Sequence, residues 1–197
     1  MSPRTQSQWE EIRNKSRGKI IDAATELFAE YGFNAISIND IAKKAGISKG
    51  LIYNYFNSKD DLLDSIIFKA FKEFDELFKI LNNNPDQPLE SLYKIMEMTM
   101  HSVKNKPQFW KLITGLSYKK QIRDRYASQI NERKKKYIKY GSELLNNMNV
   151  KNPLSEFLFI GAIIDGISLH ILEEPENYPI EMMLEVFKQK MKILYKH

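Results

Sequence analysis

The sequence predicts an all-α fold of nine helices, arranged as a three-helix N-terminal head and a larger helical body. Three observations carry this expectation. Apolar residues recur at three- and four-residue steps over long stretches, the period of a helix with one buried face. Glycine (8) and proline (7) are few in 197 residues, and strand-like alternation is nearly absent. The hydrophobic share, 43%, is that of a globular chain able to fill one sizeable core, or a small head and a larger body.

The first helix is expected over about 8–30: Ile20, Ala24, Leu27, Phe28 and Tyr31 form one stripe, and Gly32 stops it. Ser37 opens the second. Asp40, three residues on, completes a capping-box pattern, and Ile38, Ile41, Ala42 and Ala45 face inward. Gly46 breaks that helix, and Ser48 starts a third that runs to about 55. Ser58 and Asp61 repeat the capping-box spacing and launch a long fourth helix to about 81, ended by Asn82-Asn83-Asn84-Pro85. Helices follow over about 88–104, 107–115 and 118–146. Asn152-Pro153 reads as a cap followed by a first-turn proline, opening a helix to about 172. The last helix covers about 179–195. A change of character near Ser58 divides the chain into a head, 1–57, and a body, 58–197.

Composition removes several classes of function. There is no cysteine, so disulfides, thiolate metal sites and cysteine nucleophiles are excluded and a reducing compartment fits. The three histidines, His101, His170 and His197, share no metal-ligand spacing, and no cofactor is expected. G-x-S-x-G, phosphate-cradling P-loop and H-E-x-x-H patterns are missing, which argues against an enzyme. The opening MSPRTQSQWEE lacks the apolar stretch of a secretory signal. The longest uninterrupted apolar run, about Phe157 to Ile164, is closed by Asp165, well short of the roughly 20 residues that span a bilayer. A cytoplasmic protein with no membrane partner is the expectation. Net charge of +5 favours polyanions without naming one.

The informative segment is SINDIAKKAGISKGLIYNYFNSKDDLL, Ser37 to Leu63. Two short helices joined by a tight turn need a small residue where they cross, a residue tolerant of left-handed geometry at the turn, and an apolar residue packing back. Ala42, Gly46 and Ile52 meet these needs at helix-turn-helix spacing. In that geometry the second helix enters the major groove of DNA and the first crosses the backbone.

The segment and the helix before it resemble the DNA-binding head of the TetR (tetracycline repressor) family. The matching features are Ala23-Ala24, Leu27-Phe28 and Gly32; Ile41-Ala42 and Ala45-Gly46; Ser48-Lys49-Gly50, Tyr53 and Tyr55-Phe56; and Ser58-Lys59 with Leu62. They cover about the first sixty residues; the remainder resembles the family in helix count and layout only. The resemblance implies a regulator that binds double-stranded operator DNA, through Ser37, Ser48, Lys49, Gly50, Tyr53, Tyr55 and Lys59. Their chemistry agrees. Gly50 lets a backbone approach, Lys49 reaches phosphate or a guanine edge, Lys59 reaches phosphate, the tyrosines offer a phenol on an apolar ring, and the serines stand at helix N-termini. For Lys43 and Lys44 a solvated face and a phosphate contact are equally compatible. Residues 1–60 carry nine Lys/Arg against seven Asp/Glu, a weak charge that requires two subunits for useful affinity.

The family resemblance further implies a small-molecule effector held among the body helices, moving the fourth helix and so the spacing of two heads. Phe71, Met100, Trp110 and Tyr126 are the candidate lining, with core packing as the competing reading for such aromatics and methionines. His101, Asp165 and His170 are candidate polar contacts, or satisfied groups. Residues 118–139 hold nine Lys/Arg against Asp124 and Glu132, read as a solvated face, with an anionic ligand or a second DNA contact as alternatives. The helix FLFIGAIIDGISLHIL is apolar nearly all round and must be covered; Gly161, Ala162, Gly166 and Ser168 allow close approach. With the last helix it resembles the family's dimer-forming pair, giving Phe157, Gly161, Ile164, Met183, Phe187 and Met191 as a homodimer interface, against burial within one chain. The expected function is a homodimeric repressor released by its effector; a ligand-independent regulator or an activator is the alternative.

Overall fold

The computed structural model describes residues 5–83 and 87–195 and contains ten helices among them. Asn84 and Pro85, expected to end the fourth helix, and His197 lie outside the described residues. The helices are α1 (Gln6–Tyr31), α2 (Ile38–Ala45), α3 (Lys49–Tyr53), α4 (Lys59–Asn83), α5 (Pro88–Asn105), α6 (Pro107–Ser117), α7 (Lys120–Arg125), α8 (Ala127–Asn146), α9 (Pro153–Glu173) and α10 (Ile180–Tyr195). The all-α class stands.

The head is assembled by its caps and turns. Thr5 and Gln8 form a capping box that starts α1 two residues before its expected position. Ser37 and Asp40 form the predicted box at α2. At Ser58 only half of the pattern forms: its hydroxyl accepts the Asp61 N–H, while the Asp61 carboxylate takes the Asn57 backbone instead. Gly46 sits at φ 68, ψ 36, left-handed geometry that an L-residue adopts at a cost, and its N–H reaches Ala42 O and Lys43 O. Ile20, Ala24, Phe28, Ile41, Ile52 and Phe56 close beneath these turns as a core from which water is excluded.

Helix α4 belongs to both parts. Leu62, Leu63, Ile66, Ile67 and Ala70 are buried along it, first against the head and then in the body. Helix α6 also packs on α1, so the head rests on the body along two lines. Arg17 reinforces the joint, donating to Ser65 Oγ at 2.9 Å with its guanidinium over the Phe56 ring.

In the body, α4, α5, α8 and α9 pack together and α10 closes over α5. Between α8 and α9 the Phe157 ring packs on Gly141, where a Cβ would lie 2.1 Å from it. Tyr195 O–H donates to Glu156 at 2.5 Å and ties the end of α10 to the start of α9. Pro153 occupies the first turn of α9 as expected, but Asn152 makes no side-chain cap.

The single helix expected over 118–146 is two. At Tyr126 (φ −111, ψ 19) the chain leaves helical geometry. The break turns the Tyr126 ring inward, edge-on to Phe68 and Phe71, with its phenol donating to Asp64. A period count cannot see this, because the driving contact comes from a residue 62 positions away.

Taken as a whole helix rather than as an uninterrupted run, α9 is long and apolar enough to cross a membrane: 21 residues, mean hydropathy 1.6. One of its faces closes the body core through Ile160, Ile167 and Ile171, and the other lies open.

Candidate DNA interface and body cavity

The second helix of the pair, α3, is one and a half turns long, and its N-terminus is open. Ser48 caps it, the hydroxyl accepting the Leu51 N–H at 3.2 Å. Lys49 and Gly50 follow, both exposed. A Cβ added to Gly50 would meet nothing within 4 Å, so the chain itself places no demand for glycine there. Tyr53 is 48% exposed on the same side, while Ile52 beside it is sealed in the core. The helix thus has one face fixed by packing and one face with no work inside the protein. Tyr55 is half-buried against the head core and tilted on Phe56, so its ring is an anchor first.

Two expected contacts have prior commitments. Ser37 donates its hydroxyl to Asp40 Oδ2 at 2.6 Å and accepts the Asp40 N–H. The Ser37 hydroxyl and backbone N–H, both donating to Asp40 Oδ2, hold that carboxyl below its ordinary range. Lys59 is a brace: Nζ donates to Phe33 O at 2.8 Å and Ile36 O at 2.7 Å, and lies over the Phe33 ring. Two of its three donors are therefore spent on the α1–α2 loop. This role went unseen in the sequence because both acceptors are backbone carbonyls more than twenty positions away. Lys44 is paired with Glu26 at 2.8 Å; Lys43 is exposed.

Within the body lies a cavity of about 380 Å³. Phe71, Phe74 and Phe78 of α4, Leu116 of α6, and Tyr126 and Tyr137 contribute to its wall. Phe71 and Tyr126 were expected there. Met100 and Trp110 are not in it: Met100 is fully buried in the core, and Trp110 packs edge-on to Phe74 and Phe109 while its indole N–H donates to Ser102. His101, Asp165 and His170 are also outside. His101 lies 3.9 Å from Glu181, and His170 is exposed and stacked on Tyr178.

The guanidinium and phenols of the wall are already engaged. Arg133 donates from Nε and Nη2 to Asp75, and Tyr137 O–H donates to the other Asp75 oxygen at 2.8 Å. Tyr126 O–H bonds Asp64, which with Asp60 also holds Arg125. Burial, together with the adjacent carboxylate, pushes both phenols well above the ordinary tyrosine range, so they remain protonated donors. This network crosses from α7 and α8 to α4 over about sixty positions and has no sequence signature.

Residues 20–66 match the family described as bacterial regulatory proteins, tetR family. The head thus carries a TetR-family domain. It is 26% identical over 182 residues to the HTH-type transcriptional regulator SrpR of Pseudomonas putida, covering 85% of this chain and 80% of that one. Among solved structures, the fatty acid degradation regulator FadR from Bacillus halodurans superposes with a TM-score of 0.69 at 21% identity, over 92% of this chain and 97% of that one. The SmeT–triclosan complex superposes with a TM-score of 0.65 at 17% identity, over 89% and 90% of the two chains. The two structural likenesses establish the fold. These matches are all to regulators, none to an enzyme.

Two of the six expected dimer residues need correction. Phe187 (4% exposed) and Met191 (1%) are buried within the chain, Phe187 against Tyr93. Phe157 turns inward onto Phe78 and Gly141. Phe187 and Met191 are closed to a second copy, while Phe157 stays half-buried. Gly161, Ile164 and Met183 are half-buried. The open apolar stripe runs instead through Leu154, Leu158, Ala162 and Leu169 of α9, and Met182, Val186 and Ile193 of α10. The period was read correctly but the phase was not, because both faces of these helices are apolar and only the packing tells them apart. Asp165 stands in the exposed stripe, and crowding by its apolar neighbours raises its pKa.

Proposed function

We propose that this transcriptional regulator is a cytoplasmic homodimeric repressor that holds operator DNA through α3 and lets go when a small molecule fills the body cavity. The observation that carries the DNA reading is the open N-terminus of α3. Ser48, Lys49, Gly50 and Tyr53 all face solvent, on a helix whose opposite side is locked into the head core. Lys49 and the Ser48 hydroxyl suit phosphate, Gly50 admits the sugar-phosphate backbone closely, and Tyr53 suits a thymine methyl or a phosphate oxygen. Tyr55 and Ser37 support that surface from partly committed positions. Lys59 keeps one donor for a phosphate while fixing the loop above it.

Dimerisation is supported by the apolar stripe on α9 and α10. Two copies packed through it form a four-helix bundle about a two-fold axis, the arrangement that hides such a face at least cost. It places two α3 helices on one side of the molecule, about 34–36 Å apart when bound, to fit successive major grooves. The effector reading is supported by the cavity and by its contact with α4, the helix that also carries the Lys59 brace.

Operator selection from random DNA, followed by titration at fixed salt, tests the proposal. A palindromic site bound by two subunits is expected, with Tyr53→Ala weakening binding and leaving the dimer intact. Unchanged affinity in Tyr53→Ala at physiological salt, or a monomer in sedimentation at micromolar concentration, would overturn it.

A further inference from the structure

We propose that the body cavity takes an amphiphile with an apolar body and an anionic end, the anion being held by Lys134. The inference rests on the effector reading above and names the chemistry of its ligand. Of the residues that line the cavity none is a carboxylate, and two are cations, Arg133 and Lys134. Arg133 is neutralised: Asp75 takes two of its donors, Gln129 O a third, and the guanidinium lies over the Phe71 ring. Lys134 is exposed at the rim and has no ion pair among the described residues.

The rest of the wall offers carbon. Its phenols already donate to Asp64 and Asp75, so a ligand inserted among the aromatics finds no unpaired donor or acceptor there. A polar or charged body entering that space would lose its hydration with no return. A cationic end at the rim would face Lys134 with no carboxylate to meet it. A neutral end would leave the one unpaired charge unused. An anionic end accepts a charge-assisted hydrogen bond from Lys134 while its tail displaces nothing polar.

The surroundings point the same way. Ser117 and Ile122 line the cavity, and the lysines between them in sequence, Lys119 and Lys120, are exposed and without ion pairs among the described residues. Lys135 follows Lys134 in the same state. The basic run 118–139, which DNA binding through α3 leaves unexplained, thereby becomes an electrostatic collar around an apolar hole.

The test uses four probes with one twelve-carbon chain, all below their micelle concentrations: dodecanoate, dodecyl phosphate, dodecanol and dodecyltrimethylammonium. Calorimetric titration of the full chain without DNA should show both anions binding at least about tenfold more tightly than the alcohol, and the cation weakest. Lys134→Gln should erase the anion preference, leaving dodecanol unchanged; Lys135→Gln, which removes one collar charge and no direct contact, should weaken dodecanoate binding less than about twofold. Equal binding of alcohol and anions, preference for the cation, an unaltered anion preference in Lys134→Gln, or no binding by any probe overturns the ligand class. Operator release is read separately. Lys134-dependent dodecanoate binding that leaves operator affinity intact sustains the ligand class and rejects the effector reading.

Discussion

The head and the body solve the same packing problem with different kinds of information. In the head, the residues that set the geometry lie three or four positions apart: Ser37 with Asp40, Ala42 with Gly46, Ser48 with Leu51. In the body, the contacts that decide shape span about thirty to sixty positions: Tyr126 with Asp64, Arg133 with Asp75, Trp110 and Phe74, Tyr195 and Glu156. Local geometry can be read from spacing. Long-range pairing requires knowing which faces meet, and helices apolar on more than one side do not announce that.

The sharpest break of this contrast is a charge on each side of α10. Phe187→Glu should unfold the body, costing about 3–5 kcal/mol or more, because a carboxylate replaces a buried ring packed on Tyr93. Ile193→Glu, at a site 75% exposed, should leave each subunit folded and dissociate the dimer. Thermal melts with sedimentation separate the two outcomes; the reverse assignment would put the interface on the other face. Next in size is Gly141→Ala. The added methyl must displace the Phe157 ring, and about 1–3 kcal/mol of stability should be lost, measured by denaturant midpoint.

Lys59→Met probes where head and body join. Losing two charge-assisted bonds to Phe33 O and Ile36 O should cost about 1–3 kcal/mol. If bracing is its whole role, operator affinity falls while the slope of affinity against salt stays the same; a slope reduced by about one marks a phosphate contact as well. Gly50→Ala should leave the melting temperature unchanged, since nothing in the chain opposes the methyl, and should weaken operator binding where the DNA backbone does. The smallest effect is at α2. Asp40 titrates below its ordinary value because Ser37 donates to its carboxylate. The capping box is therefore fully present above the unfolded carboxylate range and is lost only as pH falls through the lowered value, seen as acid fraying of α2 by amide exchange.

What could be read in advance follows the same line. Helix order, the turn at Gly46 and the first-turn Pro153 came from local rules. The cavity was half legible. Phe71 and Tyr126 were singled out as aromatics of the body, and both line the cavity. Met100 and Trp110 were misplaced because the same residue types serve a solid core. Tyr137 and Arg133 were passed over because a basic, tyrosine-bearing helix reads as solvated until its Asp75 partner is seen. The brace at Lys59 is the instructive miss: a motif position implied one contact, and the fold gives that side chain two others.

Leu158 belongs to two surfaces at once, the wall of the cavity and the open stripe of α9. Under the proposed dimer, a second copy on that stripe would also lie against the cavity wall. Exchange of a guest and assembly of subunits would then share a threshold. Dilution should quicken release of a trapped molecule and concentration should slow it, so the residence time of the signal would depend on how much of the regulator the cell contains.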